Sequence, residues 1–268
     1  MGKQLTIIPD VHGRPFWRRA VEAAPGDGKI VFLGDYLDPY PWEEITPGDA
    51  TRMLREIIAL KKARPDNVVL LLGNHDMGYL SPRLNTCRRD YYGAVKNMTL
   101  LEENLGLFDL AHVEEMDGIK VLFTHAGIGA SWIYRHRDVF GNGSFDPSVL
   151  NAMLHDYSRR SILFDTLEDS SWSRGGDVET GSPIWADIDE FLAGEPFLPG
   201  YLHIFGHSLH EGGPVMAGDA GVCLDCRQAF LLTEDPLTLT PIVRPGHGPD
   251  HRRMGTQSPG ARSHGRHI

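Results

Sequence analysis

Short apolar runs alternate with helix-like patterns along the chain, and five of these runs have the composition of buried strands. Each run is rich in Val, Ile, Leu or Phe and is followed by Gly or polar turn residues. The runs occupy residues 5–8, 30–33, 68–72, 121–123 and 202–205. Between them, residues 16–24 and 51–63 carry apolar side chains at helical spacing. Strands that alternate with helices predict an α/β fold.

Each predicted strand is followed by residues of the types that bind metal ions. The endings are Asp10-Val11-His12, Gly34-Asp35 with Asp38, Gly73-Asn74-His75, Thr124-His125 and Gly206-His207. Because ligands bind at the carboxyl ends of strands in α/β sheets, we expect these side chains to converge at one rim.

The number of donors exceeds what one tetrahedral ion can use. Two carboxylates, three imidazoles and an amide oxygen come from Asp10, His12, Asp35, Asn74, His125 and His207. A tetrahedral zinc takes about four ligands, whereas two ions about 3.5–4 Å apart that share a carboxylate would use the whole set in phosphoryl transfer. Nitrogen and oxygen donors without thiolate favour Mn²⁺, with Fe or Zn as alternatives.

In their order, the five motifs resemble the signature of the calcineurin-like metallophosphoesterases, especially the branch of phosphoprotein phosphatases and symmetrical dinucleoside tetraphosphatases. The motifs are Asp10-x-His12, Gly34-Asp35-x-x-Asp38, Gly73-Asn74-His75-Asp76, His125 and Gly206-His207. The resemblance implies two mixed β-sheets packed face to face and flanked by helices. It also implies hydrolysis of phosphate esters that depends on two divalent metal ions.

The resemblance implies a role for each ligand. The first metal would be bound by Asp10 and His12, and Asp35 would bridge the two ions. The second metal would be bound by Asn74, His125 and His207. A hydroxide between the metals would be the nucleophile, because bound metal lowers the pKa of water to about 7.

The resemblance also identifies a general acid. His75 matches the residue that protonates the departing alkoxide, and Asp38 matches the carboxylate that orients it. Proton transfer of this kind is worth about 10²–10⁴-fold in rate.

Two departures from the phosphatase pattern bear on phosphate binding. Pro39 stands where those enzymes carry an arginine, so a phosphate-binding arginine is expected elsewhere, with Arg14, Arg89 and Arg174 as candidates. Arg14 could equally form a salt bridge. Many relatives have a second histidine in the pattern Gly-His-x-His, but here two residues separate His207 from His210. The extra residue favours a loop histidine over a metal ligand.

Composition is that of a single soluble enzyme domain. The chain has 268 residues, of which 41% are hydrophobic and 23% charged. A net charge of −10 argues against nucleic acid as a partner. No apolar stretch approaches the ~20 residues of a membrane helix. The first strand begins too early for a signal peptide, so a cytoplasmic location is expected.

Three parts of the chain are distinguished by composition. Residues 1–243 are expected to form the metallophosphoesterase domain, and the Pro-, Gly-, His- and Arg-rich residues 244–268 a disordered tail. Within the domain, the aromatic and Gly-rich residues 128–201 predict a loop-rich insertion that is either a substrate-selecting cap or a packed subdomain. Tyr36, Tyr40 and Trp42 flank Asp38 and could stack on a nucleobase or a tyrosine ring or wall off the metals, and walling is favoured.

Three functions remain open at this stage. The leading one is hydrolysis of phosphomonoesters, either on small molecules or on phosphoserine and phosphothreonine of proteins. The second is pyrophosphohydrolysis of dinucleoside polyphosphates by the same fold. The third is a non-catalytic binding module, which is disfavoured because His75 and all six expected ligands are present.

Overall fold

The computed structural model describes residues 2–26, 28–81 and 89–243; the tail predicted at 244–268 lies outside the described residues. One sheet has six strands in the order β11-β10-β1-β2-β3-β4. Strands β1 to β4 are parallel to one another, whereas β10 is antiparallel to both of its neighbours. These strands are β1 Gln4–Ile8, β2 Lys29–Phe32, β3 Val68–Leu71, β4 Phe108–Asp109, β10 Ala229–Thr233 and β11 Thr238–Val243.

The other sheet has five strands in the order β5-β6-β7-β9-β8. Its three central strands are parallel and its two edge strands are antiparallel to their neighbours. The strands are β5 Ala111–Met116, β6 Ile119–Thr124, β7 Leu202–Phe205, β8 Val215–Ala217 and β9 Gly221–Cys223. All five strands predicted from the sequence are confirmed, three in the first sheet and two in the second.

Helices cover the outer faces of the two sheets. Both helices predicted from the sequence are confirmed, and the second begins earlier than expected because Thr46 forms a capping box with Asp49 and Pro47 occupies the first turn. The helices are α1 Phe16–Ala23, α2 Pro47–Ala63, α3 Asn74–Leu80, α4 Ala94–Glu103, α5 Ala130–Arg135, α6 Arg137–Phe140, α7 Ser148–His155, α8 Tyr157–Leu167 and α9 Ile188–Leu192.

The main core lies between the sheets, and strand alternation supplies it. Leu5 and Ile7 of β1 pack in one buried cluster with Val121 and Phe123 of β6, while Ile8 packs on the opposite face with the helices. Because successive side chains of a strand point to opposite faces, each strand supports both layers. The layered α/β fold is therefore as predicted, with two mixed sheets face to face and helices outside.

The segment between β6 and β7 packs as part of the main fold. Glycine and aromatic content predicted loops for residues 128–201, but the structure there contains the five helices α5 to α9 as well as loops. Apolar residues at helical spacing, such as Leu163 and Leu167 of α8, explain the helices. Trp132 is fully buried in the same cluster as the outer face of the first sheet and donates its indole N–H to Thr166. Among the described residues, none of the helices is both long and apolar enough to span a membrane.

Candidate metal centre and active site

The residues expected at one rim are brought together by both sheets. Strands β1, β2 and β3 run parallel in one sheet, and β6 and β7 run parallel in the other. Each candidate residue follows the carboxyl end of one of these strands. The two sheets pack so that these five ends meet, which creates a buried polar cluster at the edge of an apolar core.

Unusual backbone geometry directs these side chains inward. His12, Asp35, Asp38 and His207 all have positive φ angles, at 43°, 51°, 57° and 69°. Non-glycine residues adopt this region rarely, and such strain concentrates at functional sites. The backbone at these four residues therefore adopts an unfavourable conformation that places their side chains in the site.

Two glycines make room for the acidic side chains. A Cβ atom added to Gly73 would lie 2.1 Å from an Asp35 carboxylate oxygen, and one added to Gly206 would lie 2.1 Å from an Asp10 oxygen. Both distances are too short for any side chain. The glycines that precede Asn74 and His207 are therefore required by close packing of the carboxylates over the backbone.

Asp35 lies between two groups of potential metal ligands. One group contains His12, Asp35 and His75, and the other contains Asp35, His125 and His207, with ligand atoms within 4.8 Å of one another in each. An Asp35 oxygen is 3.4 Å from His12 Nε2 and 3.5 Å from His125 Nε2. The sequence predicted a shared carboxylate, and this geometry gives Asp35 contact with both groups.

Backbone carbonyls fix the tautomers of two imidazoles. His12 Nδ1 donates to Leu37 O at 2.8 Å, and His125 Nδ1 donates to Leu33 O at 2.8 Å. With Nδ1 protonated, the neutral ring has its lone pair on Nε2, the nitrogen that faces Asp35. Such outer hydrogen bonds are typical of histidines that bind metals.

The donor arrangement fits a cation. His125 Nε2 lies 3.0 Å from Asn74 Oδ1 and 3.1 Å from His207 Nδ1, and it also faces the Asp35 carboxylate. A lone pair that faces oxygen acceptors is repulsive unless a positive ion lies among them. His207 Nε2 is buried without a hydrogen-bond partner among the described residues. The nitrogen and oxygen donors suit a borderline or hard divalent ion.

Burial favours the neutral form of two imidazoles, His12 and His207. Burial lowers the pKa of His12 well below its ordinary value despite the neighbouring Asp35 carboxylate. Burial and the Arg174 guanidinium do the same for the pKa of His207. Since neutral imidazole is the form that binds metal, both rings are ready for a cation at neutral pH.

Four buried carboxylates concentrate negative charge at the rim. Burial would raise the pKa of Asp35, but the imidazoles of His125, His75 and His12 outweigh it and lower the pKa to about 2. Burial, with the negative charge of neighbouring carboxylates, instead raises the pKa of Asp10, Asp76 and Asp225. Bound divalent cations would reverse that effect, because they are the largest local charges in such sites.

Asp10 accepts hydrogen bonds from the backbone in this arrangement. Its two carboxylate oxygens lie 3.0 and 3.1 Å from the backbone nitrogen of His207. The bond joins the end of β1 to the end of β7 and holds the two sheets together at the rim. Asp10 is 1% exposed and lies outside the two ligand groups around Asp35.

Asp76 positions the turn that carries Asp35, a role that the sequence analysis missed. Its carboxylate accepts from the backbone N–H of Asp35 at 2.8 Å, of Tyr36 at 3.0 Å and of Gly73 at 3.0 Å. The sequence could have indicated the contact between Asp76 and Gly73, because these residues have the spacing of a helix N-cap and the third residue of the helix. The two contacts across 40 residues had no sequence signal.

His75 is held in one orientation by Asp38. His75 Nδ1 lies 3.0 Å from Asp38 Oδ2, and the other Asp38 oxygen accepts from the Tyr79 hydroxyl. The Asp38 contact engages Nδ1, so Nε2 is the nitrogen available to a reacting group. The His75 ring packs edge to face on His12, with centroids 5.0 Å apart. Asp38 therefore fixes the orientation of the His75 ring beside His12.

The three candidate arginines occupy different environments. Arg14 is buried, pairs with Glu43 at 2.9 Å and donates to the Asp10 carbonyl at 3.2 Å, which favours the salt-bridge alternative. Arg174 donates to the His207 carbonyl and to Ser208 and pairs with Asp187. Its side chain is 26% exposed at the edge of the cluster.

Arg89 lies on the other side of the cluster. Its guanidinium carbon is 5.1 Å from the ring centroid of Tyr79, the residue that donates to Asp38. Two residues, Tyr79 and Asp38, thus separate Arg89 from the His75 imidazole. Arg89 thus lies near the residues that hold His75, Arg174 lies near His207, and Arg14 is buried beside Asp10.

Solved structures with a similar fold are phosphatases. A cold-active protein-tyrosine phosphatase of a psychrophilic Shewanella species aligns with a TM-score of 0.59 at 18% identity, over 90% of this chain and 80% of that one. A protein serine/threonine phosphatase from Saccharomyces cerevisiae aligns with a TM-score of 0.50 at 14% identity, over 92% of this chain and 82% of that one. At these identities the likeness is one of fold. A search of curated proteins gives no significant match.

A family model describes most of the chain directly. The model of the calcineurin-like phosphoesterase matches residues 4–211, a range that contains both groups of ligands around Asp35 and runs from β1 past β7. The match covers the same strand ends from which the site was built. This protein is therefore a metal-dependent phosphoesterase and belongs to the calcineurin-like phosphoesterase family.

Proposed function

We propose that the protein hydrolyses phosphomonoesters with two divalent metal ions at the rim. The observation that carries the proposal is the position of Asp35, which contacts imidazoles of both ligand groups, beside an imidazole oriented by Asp38. The shared carboxylate supports two ions, and the oriented imidazole supports a leaving group that needs a proton. The fold neighbours named as protein phosphatases support the choice of monoesters.

The chain supplies six candidate ligands for the ions. We infer that Asp10 and His12 hold the first ion, that Asn74, His125 and His207 hold the second, and that Asp35 touches both. When bound, two divalent ions would neutralise phosphate charge and make a water molecule nucleophilic at neutral pH. Mn²⁺ is the ion that we favour for this donor set.

The protein's own groups would handle the proton and the phosphate. His75 Nε2 would deliver a proton to the leaving oxygen, since Asp38 engages Nδ1 and orients the ring. Arg174 would bind a phosphate oxygen from the His207 side, and Arg89 is the second candidate from the Tyr79 side. An arginine is suited to this task because its planar fork matches phosphate geometry.

Metal removal tests the proposed reaction. We expect a chelator to abolish hydrolysis of a panel of monoesters, because both ions contribute charge stabilisation and nucleophile activation. Addition of Mn²⁺ should restore it, with two ions bound per chain by elemental analysis. Hydrolysis that persists in protein shown to be free of metal would contradict the proposal, as would activity on dinucleoside polyphosphates alone.

Loss of Arg174 is expected to weaken substrate binding without loss of metal. Arg174→Ala should lower kcat/KM by about 10- to 100-fold, because a charge-assisted contact to phosphate is worth about 1.5–3 kcal/mol. Substitution by Lys should restore only part of this. Steady-state kinetics with metal analysis would check the result.

Two comparisons make the Arg174 result specific. Arg137→Ala, at an exposed position on α6, is the matched control and should leave kcat/KM unchanged. Arg14→Ala should instead lower stability, because it removes a buried partner of Glu43 and of the Asp10 loop. Unchanged kinetics in Arg174→Ala would transfer the phosphate contact to Arg89 or to the metals alone.

A further inference from the structure

An aromatic step leads from the metal centre to solvent. We use that name for Tyr40 and Trp42, which lie in the loop after β2. The Tyr40 ring lies 5.1 Å from His12, edge to face, and the Trp42 ring lies 4.7 Å from Tyr40 with an interplanar angle of 36°. Trp42 is 69% exposed. Three rings in contact therefore connect a candidate metal ligand to the surface.

The loop that carries the aromatic step is braced from below. Glu43, the next residue, pairs with Arg14 at 2.9 Å and approaches Arg227 at 3.7 Å. Its backbone N–H donates to the Tyr40 carbonyl at 3.0 Å. The Arg14 guanidinium also lies 5.3 Å from the centre of the Tyr40 ring. The two rings are thus held in place before any ligand arrives, which reduces the entropy cost of binding.

Exposure separates the roles of the two rings. Tyr40 is half-buried against His12 and can exclude water from that side of the centre. Trp42 faces solvent and excludes no water from the centre. The interpretation that these rings wall off the metals therefore explains Tyr40 but not Trp42. A single exposed apolar residue needs no explanation by itself. Trp42 differs because its ring is the outer member of a chain of ring contacts that ends at His12, a candidate metal ligand.

We propose that the aromatic step is a stacking subsite for a planar ring carried by the phosphate ester. This inference rests on the proposed phosphomonoesterase function and names its substrate class, namely monoesters that bear an aromatic ring. A phosphate at the metals would leave the ring next to Tyr40 and Trp42.

The ring could belong to a phenyl group or to a nucleobase, and kinetics can distinguish the two. The substrates are phenyl phosphate, adenosine 5′-monophosphate and phosphoserine, which has no aromatic ring. Trp42→Ala should lower kcat/KM about five- to fiftyfold for the substrates with rings, mainly through KM, since stacking on an aromatic side chain is worth about 1–3 kcal/mol. For phosphoserine the kcat/KM of Trp42→Ala should stay within about twofold of the wild-type value. The ring substrate with the larger loss identifies the source.

Two control variants accompany Trp42→Ala. Trp42→Phe keeps an aromatic face and should retain most of the activity on ring substrates. Ile119→Ala also removes an exposed apolar side chain, but at the start of β6, about 20 Å of strand away from His125. Ile119→Ala should leave kcat/KM unchanged for all three substrates. Equal losses on all three substrates in Trp42→Ala, or no loss on any, would overturn the subsite.

A binding measurement separates failure of the subsite from failure of the proposed function. Phenylphosphonate and ethylphosphonate are not hydrolysed, and calorimetry on the Mn²⁺-loaded protein would compare their affinities. The wild-type protein should prefer phenylphosphonate about five- to fiftyfold, and Trp42→Ala should lose that preference. No preference in the wild type would overturn the subsite even if monoesters are hydrolysed. A preference lost in Trp42→Ala would support it even if monoester hydrolysis fails.

Discussion

His75→Ala is expected to lower kcat on alkyl phosphates by about 10²–10⁴-fold while both metal ions and the fold remain. The imidazole is held by Asp38 through Nδ1, so its removal takes away a proton donor and leaves the candidate ligands His125 and His207 unchanged. On p-nitrophenyl phosphate the loss should be much smaller, because its leaving group needs little protonation. Kinetics on both substrates, with metal content by elemental analysis, would check this.

Two further variants sharpen the test of His75. Asp38→Asn should show the same substrate pattern more mildly, because it disturbs only the contact that orients the imidazole. His155→Ala removes a half-exposed histidine that pairs with Asp109 on the surface and should leave kcat unchanged on both substrates. Since His75 also lies within ligand distance of His12 and Asp35, the competing role is a metal ligand. Equal losses on both substrates, together with a lost metal ion, would establish that role instead.

Asp35→Asn is expected to reduce the binding of both metals at once. Asp35 is the residue shared by the two ligand groups, and the surrounding imidazoles lower its pKa to about 2. Asparagine removes the charge but preserves the size of the side chain. Loss of outer hydrogen bonds to a metal ligand costs about 10- to 100-fold in affinity, so loss of the shared charge should cost at least that much. Occupancy should fall below one ion per chain, with activity lost in parallel.

The matched control for Asp35→Asn is Asp138→Asn, an exposed carboxylate on α6 with the same change of charge. It should keep two ions and full activity. Calorimetric titration with Mn²⁺ would give affinity and number of ions for both variants. Full activity in Asp35→Asn with fewer than one ion bound per chain would contradict the two-metal site.

The strands and the order of the candidate residues could be predicted because both depend on local patterns. A buried strand needs a short run of large apolar residues, and each of the five predicted runs became a strand of one sheet or the other. Polar residues at strand ends then fall at a common edge. The other six strands, β4, β5, β8, β9, β10 and β11, were not predicted. For β4, β8 and β9 the reason is their length, because a two- or three-residue strand such as Phe108–Asp109 has no periodicity to detect.

The residues that support the site could not be predicted in the same way. Asp76 accepts from the amides of Asp35 and Tyr36, which lie 41 and 40 residues earlier in the chain. Tyr79 donates to Asp38 across 41 residues. Both residues are part of the short helix after β3, and the sequence alone gives no reason to pair them with the loop after β2.

The family resemblance, the α/β layers and the residue types available to metal ions could be read from the residues, because strand periodicity and donor chemistry are local properties. The packing of the folded chain sets which donors meet, which arginine is buried and which aromatic ring is exposed. Arg14 and Arg174 are chemically identical, yet the packing of Glu43 engages the first and leaves the second at the edge of the cluster. Tyr40 and Trp42 are two residues apart, but contact with His12 buries only the first. Such differences depend on burial and on partners distant in sequence, which residue identity does not specify.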